Sequence, residues 1–261
     1  MRKPISLALL LICLAPGVLF ADSPEEKGLA IAQEDDRRDN GFGDFTADML
    51  MTLRNRHGEE SQRIIRNRTL EVPGDGDKSL VIFDKPRDVK GTALLNFAHK
   101  TGNDDQWLYL PALKRVKRIS SANKSGSFMG SEFAYEDVTS QEVEKYTYRW
   151  IRDETHEGLE CFVFERYPAY QNSGYTRQVV WLDKAEYRLL KIDFYDRKNS
   201  LLKTLIHKGY NKYLDKFWYP DEMFMENHQT GKTTLLVWSN YKFQNGLRDK
   251  DFNRNSLKRA R

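Results

Sequence analysis

The sequence predicts an α+β fold built on one large antiparallel sheet with few helices. About a dozen segments alternate apolar and polar residues with a period of two. The links between them have hairpin lengths, too short for the crossovers that parallel neighbours need. Only one segment carries a clear helix-start signature. With so many half-buried strands, the sheet must curl, pair with a second sheet or wrap its helices.

At the amino terminus Arg2 and Lys3 precede an apolar run that ends at Leu19-Phe20-Ala21. Pro16-Gly17 near its end fits a cleavage region better than a membrane span, so residues 1–21 read as a signal peptide cut after Ala21. Cys13 leaves with it. Ser23-Pro24-Glu25-Glu26 then forms a capping box with proline at the first helical position. The helix runs to about Arg38, with Leu29, Ile31 and Ala32 as apolar residues and Glu34 to Asp39 as a solvated charged end, and Asn40-Gly41 stops it.

From there the period changes to two. Phe45, Ala47, Met49, Met51 and Leu53 share one face of a long strand, 45–54. Further strands are expected over 61–72, 80–83, 92–98, 106–110, 113–119, 145–153, 159–167, 176–182, 188–195, 201–213, 222–227 and 233–243. Residues 120–135 interrupt this series. The segment is too long and too rich in glycine and serine for a simple hairpin, and Phe128, Met129 and Phe133 mark it as a loop that docks apolar side chains.

The 261 residues include 42 Lys and Arg against 38 Asp and Glu, and two of those cations lie in the signal peptide. The near-neutral remainder excludes a dedicated nucleic-acid binder, which needs surplus cations to displace phosphate counterions. No later apolar stretch approaches ~18 residues, and residues 22–261 read as one domain. Only four aromatic residues fall between 22 and 106, whereas all five tryptophans follow. Tyr146, Tyr148 and Trp150 on one strand, and Phe162 and Phe164 on the next, pack as core or line a cavity for an apolar ligand.

Catalytic signatures are absent. His57, His99, His156, His207 and His228 lack metal-ligand spacing and read as turn or surface residues. Gly231-Lys232-Thr233 resembles the end of a phosphate loop, but Glu226 stands where that loop requires glycine, so a hairpin turn is expected. Ser121-Ala122-Asn123-Lys124 and Lys100-Thr101-Gly102 occur in the reverse of the penicillin-binding order. Cys161 alternates with Leu159 and Val163 as a small buried hydrophobe. Neither an enzyme nor a cofactor is expected.

Four longer motifs occur in order: Asp36-Arg37-Arg38-Asp39-Asn40-Gly41; Phe83-Asp84-Lys85-Pro86-Arg87-Asp88-Val89-Lys90-Gly91-Thr92; Asp105-Gln106-Trp107-Leu108-Tyr109-Leu110-Pro111; and Ser127-Phe128-Met129-Gly130-Ser131-Glu132-Phe133. With Trp218-Tyr219-Pro220 they resemble the bacterial outer membrane lipoprotein-sorting protein family. The resemblance implies a LolA-like half-barrel of about 11–12 strands whose concave apolar face is covered by a few helices and holds acyl chains. It also implies a monomeric periplasmic carrier of lipid or lipoprotein, with transient membrane contact and an inner-membrane exporter of the resistance-nodulation-division type as partner. A sensor that binds lipid or peptide to regulate an exporter or envelope-stress signalling is the alternative. Alternation along the strands nominates Met49, Met51, Leu53, Trp107, Tyr109, Phe128 and Met129 as cavity or gate residues, with ordinary core packing as the competing role.

Overall fold

The computed structural model describes residues 22–259. The signal segment, its cut after Ala21 and Cys13 lie outside them. Helix α1 (Pro24–Asp39) starts as the capping box predicts: the Glu26 amide donates to Ser23 Oγ at 3.1 Å, and the Ser23 amide donates to the Glu26 carboxylate at 2.8 Å. Two hairpin series follow. The first comprises β1 (Asp44–Arg54), β2 (Glu60–Leu70), β3 (Lys78–Lys85), β4 (Ala93–Phe97), β5 (Asp105–Leu110) and β6 (Arg115–Ile119). The second comprises β7 (Tyr146–His156), β8 (Leu159–Pro168), β9 (Tyr175–Asp183), β10 (Leu189–Asp196), β11 (Leu201–Tyr213), β12 (Phe217–Asn227) and β13 (Lys232–Phe243), and a short helix α2 (Arg254–Arg259) ends the described chain.

All thirteen strands join one antiparallel sheet, ordered β6-β5-β4-β3-β2-β1-β13-β12-β11-β10-β9-β8-β7. That is slightly more than the 11–12 strands the resemblance implies. Pairing of β1 with β13 welds the two series together, with Met51 opposite Leu236 and Met49 opposite Trp238. The free edges are therefore β6 and β7, consecutive in the chain but at opposite ends of the sheet. Twelve strand spacings of ~4.8 Å make an arc of about 58 Å, so the 26 residues from 120 to 145 connect the edges by passing over the inner face of a curled sheet. The chain needed a strap there, which is why no hairpin pattern could be read in it.

The inner face holds the main core. Met49, Met51, Ile65, Phe83, Leu94, Leu108, Phe164, Val180, Ile192 and Leu236 from the sheet pack with Ile31 and Ala32 of α1 and with Phe128 and Phe133 of the strap. Gly28 allows the helix to lie directly on β7, since an added Cβ would stand 2.8 Å from the Trp150 amide nitrogen. Cys161 packs on the opposite face with Val163, Val179 and Trp181, as the small hydrophobe expected.

Three features differ from the sequence reading. Residues 111–113 form a 3-10 turn, so β6 begins at Arg115 rather than 113. β12 begins at Phe217, five residues earlier than its apolar alternation suggests. The helices do not all cover the inner face: Leu257 of α2, with Phe252, covers Leu80, Ile82, Ala93 and Leu95 on the outer face. Six residues at the end of the chain carry too little periodicity to announce such a helix.

Candidate functional site

The strap is pinned at its middle and at its end. Phe128 is 1% exposed, packed 5.8 Å from the Phe83 ring and 5.8 Å from the Tyr135 ring. Asp137 accepts from Lys203 Nζ at 2.6 Å, in a pair whose side chains are 6% and 4% exposed. The Tyr175 hydroxyl donates to the same carboxylate at 2.8 Å, and the Ala134 amide at 2.7 Å. Glu136 accepts from Ser173 Oγ and the Gly174 amide, both at 2.8 Å, tying the strap to the loop before β9.

Helix α1 is held mainly along one half. Gly28, Ile31 and Ala32 are buried, with Lys27 Nζ 3.5 Å from the Trp150 ring centroid. The same helical face continues through Asp35 and Asp39, at the spacing of one and two further turns. There its contact with the sheet runs through the Tyr219 hydroxyl of β12, which lies beside Asp39. A cavity of about 470 Å³ opens beneath the carboxyl-terminal half of α1. Its floor is apolar: Phe164 of β8, Val180 of β9, Ile192 and Phe194 of β10, Leu205 of β11 and Met223 of β12. Its roof and rim are acidic, with Asp35 and Asp39 from α1 joined by Asp77 and Glu142.

Burial and neighbouring charge shift the titrating groups of the cavity. Burial, reinforced by repulsion from Asp39, lifts the Asp35 carboxyl to about 7 although Arg166 opposes the shift. Asp39 sits at the exposed rim, yet desolvation by the surrounding protein lifts it to about 6, with Glu71 and Asp36 adding repulsion and the Tyr219 hydroxyl pulling back. Asp77 rises to about 7 through burial and the nearby Glu142. On the floor His207 is 6% exposed, its Nδ1 has no hydrogen-bond partner, and burial with the neighbouring Arg166 lowers its pKa to about 4.

These positions revise two expectations. The acidic end of α1 is not simply a solvated tail, because Asp35 and Asp39 border the cavity. His207 is not a turn or surface residue, because β11 directs it to the inner face. The signal for both was periodicity: Asp35 and Asp39 extend the stripe of Gly28, Ile31 and Ala32, and His207 alternates with Lys203 and Leu205.

None of the seven residues nominated by alternation borders this cavity. Met49, Met51 and Phe128 are packed core, with Leu53 and Met129 partly buried against it. The Met129 carbonyl accepts from Arg63. Trp107 and Tyr109 are on the outer face with the α2 cluster, and the Arg254 guanidinium lies 5.7 Å from the Trp107 ring. The structure therefore does not bring the seven together. Gln106 and Leu108 turn inward on β5, so the intervening tryptophan and tyrosine must turn outward.

Among the described residues no group of three or more His, Cys, Asp or Glu could hold a metal ion, and no helix is long and apolar enough to cross a membrane. What the geometry offers is a space with an apolar floor and a charged roof, closed by a helix on a half-open barrel. Fold and cavity together define a protein of LolA-like architecture.

Comparison with known proteins agrees. A protein-family model described as an uncharacterized protein matches residues 75–259. A solved structure described as an outer membrane lipoprotein-sorting protein domain from Vibrio parahaemolyticus is 61% identical, with a TM-score of 0.88 over 90% of this chain and 99% of that one. A DUF1329 family protein from Desulfovibrio piger is 31% identical, with a TM-score of 0.85 over 90% of this chain and 100% of that one. A LolA superfamily protein from Nitrosomonas europaea, 20% identical, shares the fold with a TM-score of 0.71 over the same coverage. No sequence among curated proteins matches. The chain belongs to the family of the Vibrio outer membrane lipoprotein-sorting protein and the Desulfovibrio DUF1329 protein.

Proposed function

We propose that this chain is a periplasmic, non-enzymatic carrier that shelters the apolar part of a lipid, lipoprotein or similar amphiphile beneath α1. The observation that carries the reading is the cavity of about 470 Å³ between α1 and the apolar inner face, a size typical of small-molecule sites. The lipoprotein-sorting description of the Vibrio relative supports a cargo with acyl chains. A chain leaving a bilayer loses ~0.8 kcal/mol per CH2 if it meets water, so a carrier must offer an equally apolar surface at every step. The floor from β8 to β12 supplies that surface.

Loading and release need one wall to move, and α1 is the candidate. The strap is fixed by a buried ion pair, whereas α1 is joined to β1 through Gly41 and Gly43, both at positive φ. The Glu71 carboxylate holds both glycine amides at 2.7 Å, giving the helix a fixed pivot. In this reading the leader peptide sends the chain across the inner membrane, and an exporter of the resistance-nodulation-division type is the partner that loads it.

The test is purification from an envelope extract under native conditions, followed by mass spectrometry of bound lipid and titration with a fluorescent fatty-acid probe. Co-purifying amphiphile, displaced by the probe, is the expected result. Protein that emerges empty and takes up no probe would rule out the carrier.

A further inference from the structure

The cavity is unevenly built in charge, and the imbalance bears on what it holds. Nine carboxylate side chains border it against five cationic ones, and of the nine Asp137 is already paired with Lys203. Most of the cations are already engaged. Arg38 donates to Glu34 at 2.8 Å, Arg188 pairs with Asp183 at 2.6 Å, Lys100 lies 3.6 Å from Glu144, and Lys216 donates to the Asn40 carbonyl. Arg166 remains, donating to the neutral Gln178 at 2.6 Å. Asp35 feels its charge, Asp39 lies nearer Lys216, and neither these two nor Asp77 forms an ion pair among the described residues.

A second, independent feature lies across from them. The His207 ring is more than nine-tenths buried on the cavity floor, and its Nδ1 has no partner. A buried polar nitrogen without a partner is costly, and a ligand with a hydrogen-bonding polar end would relieve that cost. With the ring proton on Nε2, the neutral imidazole presents Nδ1 as an acceptor, and in that tautomer an N–H donor suits this site. Carboxylates above and an acceptor below define the polar end that fits.

We propose that the site beneath α1 selects amphiphiles whose polar end is an ammonium or another N–H cation, placed between Asp35 and Asp39 of the helix and His207 of β11. This inference rests on the carrier reading and specifies the cargo's chemistry. The same field that holds protons on the roof carboxyls stabilises a cation there and repels a carboxylate or phosphate. The apolar remainder of the ligand lies along Phe164, Ile192 and Leu205. A fatty acid of equal chain length would fit the floor as well but meet the roof with the wrong sign.

The experiment compares dodecylammonium with dodecanoate, both below their micelle-forming concentrations, by calorimetric titration of the mature chain at pH 7.5. The expected result is binding of dodecylammonium at least tenfold tighter. In the Asp35→Asn/Asp39→Asn double variant, whose side chains keep their shape, dodecylammonium should weaken at least fivefold while dodecanoate holds or improves. Equal affinity for the two probes, or a preference for dodecanoate, overturns the inference and leaves the carrier reading standing. Binding of neither probe overturns both. A preference for dodecylammonium that survives in the folded double variant overturns the assignment to these aspartates, and the wild-type comparison stands even if that variant fails to fold.

Discussion

Gly28 of α1 lies against the backbone of Trp150 on β7, where a Cβ on the glycine would fall 2.8 Å from the tryptophan amide nitrogen and 2.9 Å from that of Arg149. Backbone on a paired strand cannot give way as a flexible side chain can. Glycine costs an isolated helix about 1 kcal/mol relative to alanine, so close packing is what it provides here. Gly28→Ala should therefore lower stability despite its better helix propensity, by about 1–3 kcal/mol, and loosen α1 over the cavity. Thermal unfolding with hydrogen exchange along 24–39 measures both; a variant more stable than wild type would show that the helix does not depend on this contact.

Met51 and Thr52 test the two faces of β1. Met51 is 1% exposed in the inner core, whereas Thr52 is only half-buried on the other side. Met51→Asp should cost about 3 kcal/mol or more by burying an unpaired charge, and Thr52→Asp under about 1 kcal/mol. Denaturant titration of both variants is the check, and similar losses would contradict the face assignment.

The Asp137 and Lys203 pair should behave as a buried ion pair that locks the strap. Lys203→Met leaves the carboxylate facing only the Tyr175 hydroxyl and the Ala134 amide, at a cost of about 3–5 kcal/mol. Adding Asp137→Leu should recover part of that loss, because two apolar groups then replace two charges. A double-mutant cycle reads the coupling directly, and strictly additive effects would mean the pair is not coupled.

The cavity carboxyls should tilt stability against pH. Asp35 holds its proton to about 7 in the folded chain but loses it near 3.8 when unfolded. Between those values the native state binds the extra proton, so the contribution of Asp35 falls as pH rises through the window and stays low above it. Asp35→Asn should match wild type below pH 4 and exceed it at pH 8 by about 1–3 kcal/mol, the smaller end reflecting screening in a wet cavity. His207 acts in the opposite sense. Its folded pKa of about 4 makes its contribution disappear as pH falls from 6.5 towards 4. Denaturation at several pH values in wild type, Asp35→Asn and His207→Gln separates the two, and parallel curves would contradict both.

Much of the fold was legible because strands and capped helices are written locally. Ser23 and Glu26 are three residues apart and found each other as expected, and Phe45 to Leu53 show their buried face in every second residue. The cavity was harder to read. Trp107 and Tyr109 look like cavity residues by type, yet period two shows only that they share a face. Phe128 is legible as a docking side chain, whereas its place between Phe83 and Tyr135 is not.

The sequence by itself determined the class of the protein, its antiparallel strands, the start of α1 and the burial of Cys161, because each follows from hydrogen bonding and periodicity among near neighbours. Only the tertiary structure decided that β1 joins β13, that the strap fills one part of the trough, and that Asp35, Asp39 and His207 share a cavity. Those relationships depend on how a sheet of thirteen strands curls and which face meets the helix. Asp39 and His207 are 168 positions apart in the chain, and no local pattern encodes their approach.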